Sequence, residues 1–112
     1  MTSSIITKKR KNVYLILELE LDGRPVSKII CIYPEWDTTV MLIADINTEP
    51  DYRYKGYASQ LIRRAIWEAR RNGCKHIRLD DCTDAFNSDH NIYIKNGFTY
   101  ERSGLPEMVL YL

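Results

Sequence analysis

From Val13 to Leu21 the chain alternates, with Val13, Leu15, Leu17, Leu19 and Leu21 on one side and Tyr14, Ile16, Glu18 and Glu20 on the other. This period of two predicts a half-buried strand. Asp22 and Gly23 supply a hairpin turn that tolerates positive φ, Val26 to Tyr33 reads as the returning strand, and a turn at Pro34 to Asp37 leads into a third strand, Thr38 to Thr48. After Pro50 the period changes: Ala58, Leu61, Ile62, Ala65, Ile66 and Ala69 recur at three- and four-residue steps, the apolar stripe of a helix that Gly73 ends. A short strand is predicted at His76 to Asp80, then a polar loop, a second helix from Ser88 to Asn96 stopped by Gly97, and two closing strands, Phe98 to Arg102 and Met108 to Leu112, around a Gly104 to Pro106 turn. The order is βββαβαββ. Its strand–helix–strand crossover predicts an α/β fold with a mixed sheet, antiparallel at first and parallel or splayed at its centre.

A chain of 112 residues has room for one domain, 1–112, which buries roughly two thirds of the surface its unfolded form exposes. Lys8, Lys9, Arg10 and Lys11 are consecutive, and removing these four from the formal net charge of +1 leaves the remainder at −3. Beside Thr2, Ser3 and Ser4 they predict a solvated, frayed basic tail over residues 1–11 rather than a nucleic-acid contact, because the body carries no second basic cluster. The longest apolar runs, Ile29 to Tyr33 and Val40 to Ala44, are five residues each, against the roughly 20 that span a bilayer, and no signal-peptide core is present. A cytoplasmic protein without membrane contact is expected. Cys31, Cys74 and Cys82 lack any CxxC spacing, and His76 and His90 are isolated, so neither a disulfide framework nor a metal site is expected.

Candidate chemistry concentrates at Glu49 to Ala58, EPDYRYKGYA, between the end of a buried strand and the start of the amphipathic helix. A helix N-terminus offers backbone N–H groups without helical partners and the positive end of a dipole, so the loop entering it can hold a phosphate or pyrophosphate. Gly56 admits a close backbone approach, Ala58 keeps the first turn uncrowded, and Arg53 and Lys55 add positive charge. The plainer alternative is a strand-to-helix turn in which Gly56 meets only a dihedral need.

In context the stretch resembles the acetyl-CoA motif of the GNAT acetyltransferase superfamily, R/Q-x-x-G-x-G/A, here Arg53, Tyr54, Lys55, Gly56, Tyr57 and Ala58 after the PDY of the same signature. Downstream, YIKNGF at Tyr93 to Phe98 resembles that family's Y-x-x-x-G-F signature, and the βββαβαββ order is similar to its core. The resemblance covers Val13 to Leu112. It implies that acetyl-CoA or CoA is bound by the Arg53–Ala58 loop together with Ile46, Asn47 and Thr48 at the end of the preceding strand, and by Asn87, although Asn87 stands six residues before Tyr93 where the family's asparagine stands seven. A second departure is that only twelve residues precede Val13, so the family's usual N-terminal strand and two helices are expected to be missing. Those helices help wall the acceptor pocket in relatives, which implies an open site or one completed by a second copy in a homodimer.

The implied reaction is direct attack of a neutral amine on the thioester, collapse of a tetrahedral intermediate and departure of the CoA thiolate. Tyr93 stands at the family's usual general-acid position, and its phenol stays protonated near neutrality; the alternative is a core tyrosine beside Ile92 and Ile94. Asp80 is the first candidate for the base, with Asp45, Glu49 or a water chain as alternatives, while Asp80, Asp81 and Asp84 also suit a solvated loop or a helix cap. An acidic rim of Asp45, Glu49, Asp80, Asp81, Asp84 and Asp89 favours a small polyamine as acceptor, as does a remote resemblance to short virus-type polyamine acetyltransferases. A protein lysine or N-terminus, or a non-catalytic CoA-binding module, are the other readings.

Overall fold

A computed structural model of the chain describes residues 2–10, 13–81 and 91–112. The predicted hairpin and third strand are β2 (Tyr14–Leu21), β3 (Arg24–Ile32) and β4 (Val40–Thr48). Ahead of them lies β1 (Ser3–Arg10), and beyond them α1 (Tyr57–Arg71), β5 (His76–Asp80), α2 (Ile92–Lys95), β6 (Thr99–Tyr100) and β7 (Glu107–Tyr111). Among the described residues one mixed sheet runs β1-β2-β3-β4-β5-β7-β6, parallel only between β4 and β5.

The basic segment expected to fray is instead a strand. Ser3–Arg10 is an edge strand, antiparallel to β2 from Ser3↔Leu21 to Arg10↔Leu15, so the family's N-terminal strand is present and the order is ββββαβαββ. Only three residues separate β1 from β2, too few for the two helices that follow this strand in relatives. The strand forms because β2 offers an unpaired edge. Ile5 packs against the core, Lys8 Nζ lies 3.5 Å from both Glu18 and Glu20, and Asp22 N–H donates to Thr2 O at 2.9 Å. The polar face of β2 thus supplies the partners that make a basic segment a strand.

One face of the sheet carries α1. Leu61, Ile62, Ala65, Ile66 and Ala69 bury against Leu15, Leu17 and Leu19 of β2, Ile29 and Cys31 of β3, Met41 and Ile43 of β4, and Ile77 and Leu79 of β5. Alternation turns Leu42 and Ala44 of β4, and Arg78 and Asp80 of β5, to the other face.

The centre of the sheet is splayed. β4 and β5 pair only at Val40↔His76, Met41↔Ile77 and Leu42↔Arg78, whereas β4 continues to Thr48 beside β3 alone. A register shift places Ile30 opposite Asp45 and Cys31 opposite Ile43, so Ala44 is an extra residue, and such a bulge bends and twists its strand. The second helix is also shorter than the pattern predicts. It begins at Ile92 because Asn91 is extended and its side chain accepts the N–H groups of Tyr93 and Ile94; the predicted start at Ser88 lies outside the described residues.

Deleting residues 2–10 should lower the thermal midpoint by roughly 5–15 °C and promote association through the exposed β2 edge. A melt unchanged by the deletion would restore the frayed-tail reading.

Candidate active site

The loop between β4 and α1 is built from local constraints. Pro50 opens a single 3-10 turn, Pro50–Tyr52, where its fixed φ suits a first helical position. Arg53 returns to extended backbone, and its Nε donates to Thr48 O at 3.0 Å, tying the loop back to the end of β4. Tyr54 follows with φ 63°, a left-handed conformation uncommon for a bulky residue, and its side chain is fully exposed. Backbone held in this region is a feature that clusters at ligand sites.

Gly56 is the N-cap of α1, with φ 84° and no side chain to bond the helix start. A Cβ added there would meet nothing within 4 Å, so the protein itself demands glycine only through the dihedral, and the space in front of the helix is open. Gln60 N–H makes the first helical bond, to Gly56 O at 3.1 Å, and the N–H groups of Tyr57, Ala58 and Ser59 precede it. Open space, a positive dipole end and the neighbouring Lys55 make a donor set that fits a pyrophosphate. Lys55 Nζ sits 5.8 Å from the Tyr52 ring centroid and Arg24 Cζ 5.6 Å from it, while Arg24 also pairs with Glu49 at 3.3 Å. Of the remaining residues expected at this site, Ile46 packs against the core, Asn47 is exposed, and Thr48 bonds Ser27 through its hydroxyl at 2.8 Å as well as Arg53 through its carbonyl. Asn87 lies outside the described residues.

The two sequence motifs meet in space. Asn96, inside the YIKNGF segment, donates from Nδ2 to Ser59 Oγ in the first turn of α1 at 3.1 Å. Tyr93 is 5% exposed, packs edge-on against Phe98 with centroids 6.1 Å apart, and its carbonyl accepts the N–H groups of Asn96 and Phe98 at 3.0 Å. The packing reading and the motif reading of Tyr93 therefore apply to the same ring.

On the face away from α1, the parting of β4 and β5 opens a cleft of about 540 Å³. Leu42 and Ala44 line one side, Arg78 and Asp80 the other, and Glu101 and Glu107 close it from the end of the chain. Asp80 and Glu107 are register partners, and Arg78 is ion-paired with Glu101. The acidic rim is thus only partly the one expected. Asp80 is in it, but Asp81 is 3% exposed and bonded inward to Tyr100 and Asn91, so it cannot solvate a rim. Glu49 is occupied by Arg24, Asp45 is exposed on β4, and Asp84 and Asp89 lie outside the described residues. Glu101, Glu107 and Arg78 were not anticipated. The signal for Arg78 was its two-residue spacing from Asp80, but the glutamates reach the cleft only through the β5–β7 register.

Cys82 and His90 lie outside the described residues, and the described cysteines and histidine sit away from the cleft. Burial, with Glu68 nearby, pushes the Cys31 thiol up to about 12, and burial also raises that of Cys74, so neither offers a thiolate near neutrality. His76 is held below its usual value by burial first and by Arg78 next, and its ring lies tilted against Tyr111 with centroids 6.0 Å apart. Among the described residues no group of His, Cys, Asp and Glu is arranged to hold a metal, and no helix is long and apolar enough to cross a membrane.

A family model for the acetyltransferase (GNAT) family matches residues 3–98, and the chain belongs to that family. Solved structures share its fold at low identity. The PaiA N-acetyltransferase of Thermoplasma acidophilum, in complex with coenzyme A, is 18% identical with a TM-score of 0.75 over 89% of this chain. This chain spans 62% of that protein's length. The ribosomal-protein-S18-alanine N-acetyltransferase of Escherichia coli is 15% identical, TM-score 0.74, over 96% of this chain and 90% of its own. A GNAT family acetyltransferase from Elizabethkingia anophelis with acetyl-CoA bound is 13% identical, TM-score 0.77, over 98% of both chains. No curated protein sequence matches.

Gly56→Glu should abolish CoA binding in a folded protein, because a side chain and a negative charge would enter the open space before α1. Calorimetry showing unchanged CoA affinity would remove the loop as the pyrophosphate site.

Proposed function

We propose that the chain transfers the acetyl group of acetyl-CoA to a primary amine of a small polycation. The observation that carries this reading is the splay, which sets an anion-fitting helix start at the end of β4 and an acidic cleft between the same two strands. In this reading the pyrophosphate rests on the Gly56 loop and the first turn of α1, with Arg53 and Lys55 beside it. The cofactor's amide-bearing arm follows β4 between Ile43 and Thr48, where the strand has backbone groups to offer on the side that β5 has left. That accounts for Ile46, Asn47 and Thr48 as backbone rather than side-chain contacts.

The acceptor enters the cleft as an ammonium drawn by Asp80 and Glu107. Asp80 takes one proton from it, the neutral nitrogen attacks the thioester carbonyl, and the tetrahedral intermediate gives its second N–H proton to water as it collapses and the C–S bond breaks. The sulfur leaves as a thiolate that takes the phenolic proton of Tyr93. Coulombic attraction grows with each added charge on the acceptor, so a di- or polyamine gains more from the cleft than a monoamine does. The open side of the cleft also admits a peptide, which makes a protein amine the reading to exclude.

Asp80→Asn combined with Glu107→Gln should lower kcat alike for both acceptors, through loss of the base, and raise KM for a polyamine roughly tenfold but for a monoamine only about twofold; high salt should reproduce the difference in KM. Equal effects on KM for both acceptors, or turnover of peptides alone, would sink the polycation reading. Tyr93→Phe should keep CoA binding and lower single-turnover acetylation about a hundredfold. If the rate is retained, Tyr93 is a packing residue and the proton comes from elsewhere.

A further inference from the structure

The alternation that buries Ile77 and Leu79 continues one residue past the end of β5 and turns Asp81 into the protein. A carboxylate 3% exposed requires donors. It receives them from two elements: Tyr100 OH of β6 donates to Oδ2 at 2.7 Å, and the side-chain amide of Asn91 donates to the same oxygen. Asp81 N–H in turn donates to Pro106 O at 2.8 Å, holding the turn before β7. Asn91, 1% exposed, faces both ways. Its Nδ2 also approaches Tyr100 OH at 3.2 Å, while its Oδ1 accepts Tyr93 N–H at 2.7 Å and Ile94 N–H at 3.2 Å.

A helix of four residues has too few internal bonds to hold its own direction, so α2 takes its orientation from what grips its ends. At its start that grip is one amide whose far side is locked by a buried carboxylate. We propose that Asp81, Asn91 and Tyr100 form a clamp that positions Tyr93 for proton donation; it rests on the reading of Tyr93 as the general acid. The three are positioning residues, acting through Tyr93 without touching substrate. The amide is essential to the design because it must donate at one end and accept at the other. Aspartate at position 91 caps a helix equally well, yet it sets carboxylate against carboxylate.

The test uses the whole chain and single-turnover acetylation, with CoA affinity and thermal melts as controls. Asn91→Asp should lower kcat about ten- to a hundredfold while KM for acetyl-CoA stays within about twofold, since it sets carboxylate against carboxylate; Asp81→Asn, whose amide oxygen can stand where Oδ2 accepts both donors, should cost less. The exchange of both, Asp81→Asn with Asn91→Asp, restores one carboxylate, one amide and the cap, and should return kcat to within about threefold of the parent. Tyr100→Phe, which keeps the ring and removes the hydroxyl's bonds to Asp81 and Asn91, should cost about three- to tenfold in a protein that melts near the parent, and serves where a single exchange fails to fold. In a Tyr93→Phe background Tyr100→Phe should cost less than about twofold, because its effect passes through the missing hydroxyl. No recovery in a folded double exchange, or an undiminished loss in the Tyr93→Phe background, overturns the clamp while leaving Tyr93 as the acid. Full activity of Tyr93→Phe alone overturns the acid reading and the clamp together.

Discussion

Three rungs of parallel pairing hold β4 to β5, and the rest of the site follows from their ending at Leu42 and Arg78. A sheet that stayed paired to Thr48 would have neither a cleft nor an exposed backbone edge at its centre. Ala44 supplies the local cause, because an extra residue in β4 opposite β3 bends the strand away from its other neighbour. The cost of an opened central ladder is met on the opposite face, where α1 spans β2 to β5 and buries Leu61, Ile62, Ala65 and Ala69 completely. Apolar burial of this kind contributes about 1.5–3 kcal/mol per large side chain and does not depend on strand pairing. The helix that fastens the two strands from behind is also the one entered by the loop that leaves the end of β4.

The parts of this arrangement that were legible in the sequence are those with local periodicity. Leu15, Leu17, Leu19 and Leu21 alternate because β2 has a face on the core, and the stripe along α1 repeats because the same core lies beneath it. Both motifs are contiguous, so their presence could be read before their proximity was known. What escaped the sequence depends on partners far along the chain. Ser3–Arg10 has a weak apolar pattern, yet it is a strand because Glu18 and Glu20 match its lysine and β2 has an edge to fill. Glu107 enters the cleft because β7 lies antiparallel to β5 in a particular register. A one-residue slip would turn it to the other side.

Asp80 and Asp81 illustrate how little separates two fates. Adjacent in sequence and identical in chemistry, they fall on opposite faces of the strand end, one facing a cleft open to solvent and the other a closed hydrogen-bond triangle. Composition treats them alike as acidic rim. The pleat does not, and it divides the pair into a group facing the cleft and a buried group that accepts from Tyr100 and Asn91.

Tyr93 joins these threads, because burial and proton donation are not competing roles for one side chain. A donor must present its hydroxyl in a fixed direction as the sulfur leaves, and a phenol swinging freely at the surface would lose that direction to solvent. Edge-on contact with Phe98 fixes the ring, the Asn91 cap fixes the backbone beneath it, and the bond from Asn96 to Ser59 fixes the helix end against α1. The same contacts that make Tyr93 look like a core residue are therefore the ones a positioned acid requires, and a low exposure is what the catalytic reading itself demands.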